Sequence, residues 1–113
     1  MDYRGTHVII DVINCDFDRL NDGQFLEDTL SEGALSAGCT ILHKWTHQFE
    51  PQGVTAFVGL SESHISIHTI PEQRKGWLDI FTCGDRAKPE KAVDYILQKL
   101  SPKEHSSLTL TRH

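Results

Sequence analysis

Four segments in which polar and apolar side chains alternate constrain the fold of this chain most strongly. The segments are 39–49, 53–61, 63–70 and 77–84. Successive side chains of a β-strand point to opposite faces, and short connections join antiparallel neighbours. The connections here are short and carry turn-forming residues at Pro51, Gly53, Pro71 and Gly76. The four segments therefore predict an antiparallel meander.

Two other segments have the helical period. Apolar or small residues of 22–37 lie on one stripe, with Asp22 as the N-cap, and a second stripe runs over 89–100. A strand is predicted at 7–14, and the tail after residue 100 is expected to fray or to add a short edge strand. Because each helix has one apolar stripe, both helices must pack on one face of the sheet. We therefore expect an α+β fold, a two-layer α/β sandwich with two helices on one face of an antiparallel sheet, forming one domain over 1–113.

Strand parity predicts what lies on the other face of the sheet. Ile65 and Ile67 share the face toward the helices, whereas His64, Ser66 and His68 share the opposite face. A face that mixes histidines with aromatic residues is unusual for the open surface of a monomer. We expect this face to hold a functional site or a dimer interface.

Composition excludes several classes of function. The formal net charge is −5 and no run of Lys or Arg occurs, so neither nucleic acid nor an anionic membrane is an expected partner. No apolar stretch reaches the ~18 to 20 residues that span a bilayer, and the N-terminus lacks signal-peptide features, so a cytoplasmic location is expected. Three widely spaced cysteines, Cys15, Cys39 and Cys83, suit free thiols in a reducing compartment.

The histidine pairs and the serine-rich turn allow more than one interpretation. His43 with His47, and His64 with His68, share strand faces, but no third ligand with metal-site spacing accompanies them, so no metal is expected. Ser63 with His68 lacks the G-x-S-x-G context of a hydrolase nucleophile. Small polar residues at 61–63 are also typical of an ordinary hairpin turn. These residue types alone leave a turn, a core thiol at Cys83 and a catalytic site all open.

Two longer motifs change this balance. They are LSESHISIHTIPE at 60–72 and DIFTCG at 79–84, with weaker agreement in GTH at 5–7 and FEPQGVT at 49–55. Together they resemble the short prokaryotic S-adenosylmethionine decarboxylases, a family made as proenzymes that carry a covalent pyruvoyl group. The resemblance extends over nearly the whole chain.

The resemblance implies self-cleavage between Glu62 and Ser63, giving a β chain of 1–62 and an α chain of 63–113. The Ser63 hydroxyl would attack the Glu62 carbonyl, converting the amide to an ester. His68 would then remove the Cα proton of Ser63, since imidazole exchanges protons near neutral pH. Elimination and hydrolysis would turn Ser63 into the pyruvoyl cofactor. Thr55 stands where the family has a serine that polarises the Glu62 carbonyl.

The resemblance also implies substrate chemistry. The pyruvoyl ketone would form a Schiff base with S-adenosylmethionine and act as an electron sink during loss of CO₂, and Cys83 would return a proton. Phe49 matches one of two aromatic residues that contact the substrate, and Glu72 is a candidate for ribose contact. The second aromatic residue is a tryptophan in the family, whereas this chain has Ile70. The expected product is the aminopropyl donor for spermidine, made by a homodimer of processed protomers.

Two alternatives remain open on the sequence. Ile70 leaves room for arginine or ornithine as the substrate of the same pyruvoyl chemistry. Thr55 and Ile70 also leave room for an unprocessed homologue that acts only as a binding partner.

Overall fold

The computed structural model describes residues 4–113, which form one six-stranded antiparallel sheet with helices on one face. The strands are β1 Gly5–Ile13, β2 Ile41–Gln48, β3 Val54–Leu60, β4 Ser63–Ile70, β5 Lys75–Cys83 and β6 Glu104–Arg112. The helices are α1 Phe17–Leu20, α2 Gly23–Ser36 and α3 Pro89–Leu100, with a 3₁₀ turn at Pro71–Gln73. The strand order is β2-β3-β4-β5-β1-β6, which confirms the predicted meander and the α+β fold.

The structure adds two elements to the predicted pattern and lengthens a third. Helix α1 and the 3₁₀ turn are each too short to show a helical period in the sequence. Strand β6 is a nine-residue edge strand paired with β1 along its whole length, rather than a frayed or short segment. Its side chains are all exposed, so burial imposes no strong apolar pattern on that part of the chain.

Local signals in the sequence explain where the long helices begin and how they pack. The Asp22 carboxylate accepts a hydrogen bond from the Phe25 N–H at 3.0 Å and caps α2, and Pro89 occupies the first turn of α3. Helix α2 packs on β2, β3 and β4, and α3 packs on α2 and β5. A Cβ atom at Gly33 of α2 would lie 2.9 Å from the Ile96 side chain, so glycine permits the close approach of α2 and α3. The fully buried core includes Ile10, Leu26, Leu30, Ile65, Ile67, Leu78, Ile80 and Ile96.

The two faces of the sheet differ as the parity argument predicts. Ile65 and Ile67 are fully buried beneath the helices, whereas His64, Ser66 and His68 lie on the face without helices, which we call the open face. Large apolar side chains on the open face remain partly exposed, at Ile9, Ile13, Trp45, Trp77, Leu108 and Leu110. No helix within residues 4–113 is long and apolar enough to cross a membrane.

Candidate active site

The turn between β3 and β4 is held by three hydrogen bonds from neighbouring backbone. The Glu62 carbonyl accepts from the Cys83 N–H at 3.0 Å, and the Glu62 carboxylate accepts from the Thr40 N–H at 3.0 Å. The Ser61 N–H donates to the Thr40 carbonyl at 3.0 Å. The connection after α2 and the end of β5 therefore hold the peptide bond between Glu62 and Ser63 from two sides.

Ser63 has a backbone φ of +145°, a conformation that favours glycine over a residue with a side chain. Such strain persists only where surrounding contacts fix the backbone, and it tends to mark functional positions. Cys83 is the last residue of β5, is half-buried and lies beside this turn. Glu62, Ser63 and Cys83 thus form one cluster, which we call the Ser63 end.

A second cluster lies at the other end of β4. Thr55 and His68 face each other on β3 and β4, and the Thr55 Oγ1 lies 3.0 Å from the His68 Nδ1. His47 follows across β2, and its ring meets the Phe49 ring edge-on with centroids 4.5 Å apart. His68 is exposed on the open face. We call this group the His68 end.

The two clusters are far apart within one chain. Ser63 and His68 are five residues apart on an extended strand, which places their Cα atoms about 16 Å from each other. This separation is several times the length of a hydrogen bond. A single copy of the chain therefore does not bring the Ser63 hydroxyl and the His68 imidazole into contact.

The predicted substrate residues Phe49 and Ile70 lie beside the His68 end, on either side of Gly53. The Phe49 N–H donates to the Gly53 carbonyl at 2.8 Å, and the β3–β4 register, continued by two residues, places Gly53 opposite Ile70. Two strand spacings put Phe49 and Ile70 about 10 Å apart across Gly53, which has no side chain. Gly53 has a φ of +111°, and a Cβ atom there would lie 3.7 Å from the Phe49 side chain. Glu72 is exposed on the 3₁₀ turn after Ile70.

His7 and His64 also lie on the open face, on either side of Phe81. The Asp79 carboxylate lies 2.7 Å from the His7 Nε2 and 3.4 Å from the His64 Nε2. The His64 ring stacks near Phe57, with centroids 5.7 Å apart. Within the described part of the chain, no group of three or more His, Cys, Asp or Glu side chains is arranged to hold a metal ion.

The three cysteines are free thiols with different surroundings. Burial raises the pKa of the Cys15 thiol, an effect that Arg74 and then Arg19 partly oppose. Burial, with a smaller contribution from the Glu62 carboxylate, raises the pKa of Cys39 to about 11. Both buried thiols therefore stay protonated at neutral pH and behave as core residues, as the sequence predicts.

Sequence reasoning missed two residues that contribute to these clusters. Thr40 acts through its backbone N–H, which no side-chain pattern reveals. The sequence motifs give Trp77 no role, but its side chain is 47% exposed on the open face and lies directly opposite His68. Trp77 shares its parity along β5 with Asp79 and Phe81 rather than with Leu78 and Ile80. This parity predicts a side chain on the open face.

Comparisons with known proteins identify the family of this chain. The family model "S-adenosylmethionine decarboxylase" matches residues 6–113. An S-adenosylmethionine decarboxylase proenzyme of Prochlorococcus marinus is 45% identical over 96% of this chain and 86% of its own length, and one of Bacillus cytotoxicus is 44% identical over 99% and 86%. The crystal structure of the adenosylmethionine decarboxylase from Aquifex aeolicus matches with a TM-score of 0.91 at 34% identity, over 99% of this chain and 92% of that one. The chain therefore belongs to the S-adenosylmethionine decarboxylase family.

Proposed function

We propose that this chain cleaves itself between Glu62 and Ser63 and then decarboxylates S-adenosylmethionine, giving the aminopropyl donor for spermidine. Membership of the family supports the activity. The observation that carries the proposal is the hydrogen bond from the Cys83 N–H to the Glu62 carbonyl at 3.0 Å. It joins the peptide bond to be cut with the residue that the decarboxylation needs as proton donor.

The first step uses groups at the Ser63 end. The Ser63 hydroxyl adds to the Glu62 carbonyl carbon, negative charge develops on the carbonyl oxygen, and the C–N bond breaks to leave an ester and a free amine. The Cys83 N–H already points at that oxygen, so it stabilises the charge where it develops. The positive φ of Ser63 raises the energy of the intact peptide relative to the rearranged chain.

The second step needs a base. His68 removes the Cα proton of Ser63, the ester oxygen leaves with Glu62 as a carboxylate, and hydrolysis of the resulting dehydroalanine releases ammonia and gives the pyruvoyl group. The Thr55 hydroxyl holds the His68 Nδ1 at 3.0 Å. When that hydroxyl accepts a hydrogen bond from Nδ1–H, Nε2 has a free lone pair to take the proton.

We infer that a second copy of the chain bridges the distance between the two ends of β4. A two-fold dimer that packs open face on open face, with the strands running in opposite directions, brings the Ser63 end of each copy to the His68 end of the other. The apolar side chains at Trp45, Leu108 and Leu110 supply surface for such packing, since each is exposed by 42% or more. Each site of the homodimer then takes Ser63 and Cys83 from one copy and Thr55 and His68 from the other.

Decarboxylation uses the same composite site. A pyruvoyl group formed from Ser63 would supply the ketone for a Schiff base with the substrate's amino group and an electron sink for the loss of CO₂. The half-buried Cys83 thiol stands beside this position and donates a proton to the substrate carbon. Phe49 and Ile70 border the space for the adenine, and Glu72 beside them offers a carboxylate to the ribose hydroxyls.

Arginine or ornithine is the alternative substrate, and the missing ring at Ile70 favours it. Arginine and ornithine differ from S-adenosylmethionine in one testable respect. Neither amino acid carries an adenine to fill the space between Phe49 and Ile70.

Release of CO₂ from carboxyl-labelled S-adenosylmethionine, arginine and ornithine by the purified protein distinguishes these proposals. We expect release from S-adenosylmethionine alone, and none from a Ser63→Ala variant. Release of CO₂ from arginine or ornithine alone would show that this amino acid, and not S-adenosylmethionine, is the substrate. Release from none of the three, by a chain that stays intact, would favour a binding partner without enzymatic activity.

A further inference from the structure

Trp77 is an exposed aromatic residue beside the His68 end, and the reaction scheme above gives it no role. Its side chain is 47% exposed on the open face. Strand β5 places it directly opposite His68 on β4, and on its other side it faces Asp11 of β1. An indole ring next to the predicted base lies where the reacting part of a substrate must come.

The same register relates Trp77 to the position where the family motif has a ring. Ile70 pairs with Lys75, so Trp77 is the diagonal neighbour of Ile70 on the same face. Diagonal neighbours lie about 7 to 8 Å apart, which is within reach of an aromatic side chain. A ring carried by β5 at position 77 therefore borders the same space as a ring carried by β4 at position 70.

One face of the indole already contacts a cation. The Lys75 Nζ lies 5.5 Å from the centroid of the Trp77 ring, a distance at which an ammonium is attracted to the ring face. Tryptophan is the most favourable aromatic partner for a cation, and the Asp11 carboxylate across the strand pair adds negative charge nearby. The surroundings of this ring therefore suit a positively charged group.

We propose that Trp77 supplies the second aromatic wall of the substrate pocket, in place of the ring missing at Ile70, and that its face binds the sulfonium of the substrate. This inference depends on the proposed function. In S-adenosylmethionine only the side-chain methylenes separate the sulfonium from the carbon that reacts. A substrate whose reacting carbon lies at the composite site therefore has its sulfonium near His68. Trp77 lies directly opposite His68, so its ring is next to that sulfonium. The sulfonium then takes the position on the ring that the Lys75 ammonium occupies in the free protein.

A matched pair of inhibitors isolates the contribution of the charge. One inhibitor is the dimethylsulfonium derivative of 5′-deoxyadenosine, and the other is 5′-methylthioadenosine. The first has one more methyl group and one more positive charge than the second. Their Ki values against the processed enzyme give a preference for the charged compound. In Trp77→Leu we expect this preference to fall about tenfold, with an intermediate loss in Trp77→Phe, because leucine keeps apolar area but has no π face.

Two further variants make the result specific. Tyr95 of α3 also has an ammonium over its ring, with the Lys99 Nζ 5.6 Å from the centroid, but it lies on the helix side of the sheet, so Tyr95→Leu should keep the wild-type preference. Ile70→Trp added to Trp77→Leu should restore most of the preference, because it returns a ring to the same space.

Three results would overturn the assignment of Trp77. They are an unchanged preference in Trp77→Leu, an equal loss in Tyr95→Leu, and equal weakening of both inhibitors accompanied by dissociation of the dimer. Failure of the proposed function is seen separately, because the wild-type protein would then not process or release CO₂ before any variant is compared.

Discussion

Cys83 brings two different groups to the Ser63 end. Its backbone N–H donates to the Glu62 carbonyl, and its thiol lies half-buried beside the same turn. A substitution of the side chain leaves the backbone donor in place. The two proposed steps, cleavage and decarboxylation, therefore depend on different parts of one residue.

Cys83→Ala should process at close to the wild-type rate and lose turnover by about 100-fold, the usual contribution of a positioned proton donor. Denaturing electrophoresis measures processing, and CO₂ release measures turnover. A Cys39→Ala variant is the control, because that thiol is buried in the core. Full turnover in Cys83→Ala would remove the thiol from the reaction.

Thiol labelling gives an independent measure of the three cysteine environments. Iodoacetamide at a labelling pH of ~7.5 should modify the half-buried Cys83 and spare the buried Cys15 and Cys39. Burial raises the pKa of both spared thiols, to about 11 for Cys39, so the fraction present as thiolate is small. Peptide mass mapping identifies the labelled residue, and unfolded protein, in which all three label, is the control. Rapid labelling of Cys39 in the folded protein would contradict its burial.

The raised pKa of Cys39 also makes the free energy of unfolding depend on pH. The unfolded thiol ionises near 9.0, whereas the folded thiol keeps its proton to about 11. Between these values the unfolded state binds fewer protons than the folded state, so this group lowers stability as pH rises. Cys39→Ala should therefore show a shallower loss of stability over this alkaline range than the parent protein.

At the scale of elements, the sequence predicted long periodic segments well and short or contact-dependent ones poorly. Strand β4 was predicted with its correct bounds, since Ile65 and Ile67 alternate with polar residues over its length. The 3₁₀ turn that carries Glu72 and the full length of β6 were not, because neither buries a continuous apolar stripe. The contact between Thr40 and Glu62 joins the connection between α2 and β2 to the β3–β4 turn, and only the folded chain reveals it.

That contact makes a prediction about processing. Glu62→Ala should slow cleavage by about five- to tenfold, because loss of the hydrogen bond to the Thr40 N–H, worth about 1 kcal/mol, loosens the strained turn. Glu62→Gln keeps an acceptor oxygen and should retain most of the rate. Pulse synthesis followed by intact mass over time measures cleavage, with the exposed residue Glu90→Ala as control. Equal rates in Glu62→Ala and the wild type would show that the side chain does not position the turn.

At the scale of the whole molecule, the open face connects the fold to the function. Parity in the sequence predicted which residues this face carries, and the register then separated Ser63 from His68 along β4. The motif placed both residues in one short stretch, so sequence spacing alone gave no sign of the separation. The extended geometry of a strand, not the motif, leads to the proposal of a composite site in a dimer.

Co-expression of two inactive variants tests that composite site. Neither Ser63→Ala nor His68→Ala should process alone. In a mixed dimer, the His68→Ala chain provides Ser63 and its partner provides His68, so roughly half of the His68→Ala chains should be cleaved when the subunits mix at random. Distinct affinity tags identify each chain by mass. No cleavage in dimers isolated through both tags would mean that Ser63 and His68 do not meet across an interface.

The central claim is that the chain converts its own Ser63 into a pyruvoyl group, and an intact mass spectrum of the purified protein under denaturing conditions tests it most directly. The account predicts two fragments, 1–62 and 63–113, with the second lighter than its sequence mass by one ammonia. A single species at 12.8 kDa, the mass of the uncleaved chain, would contradict it.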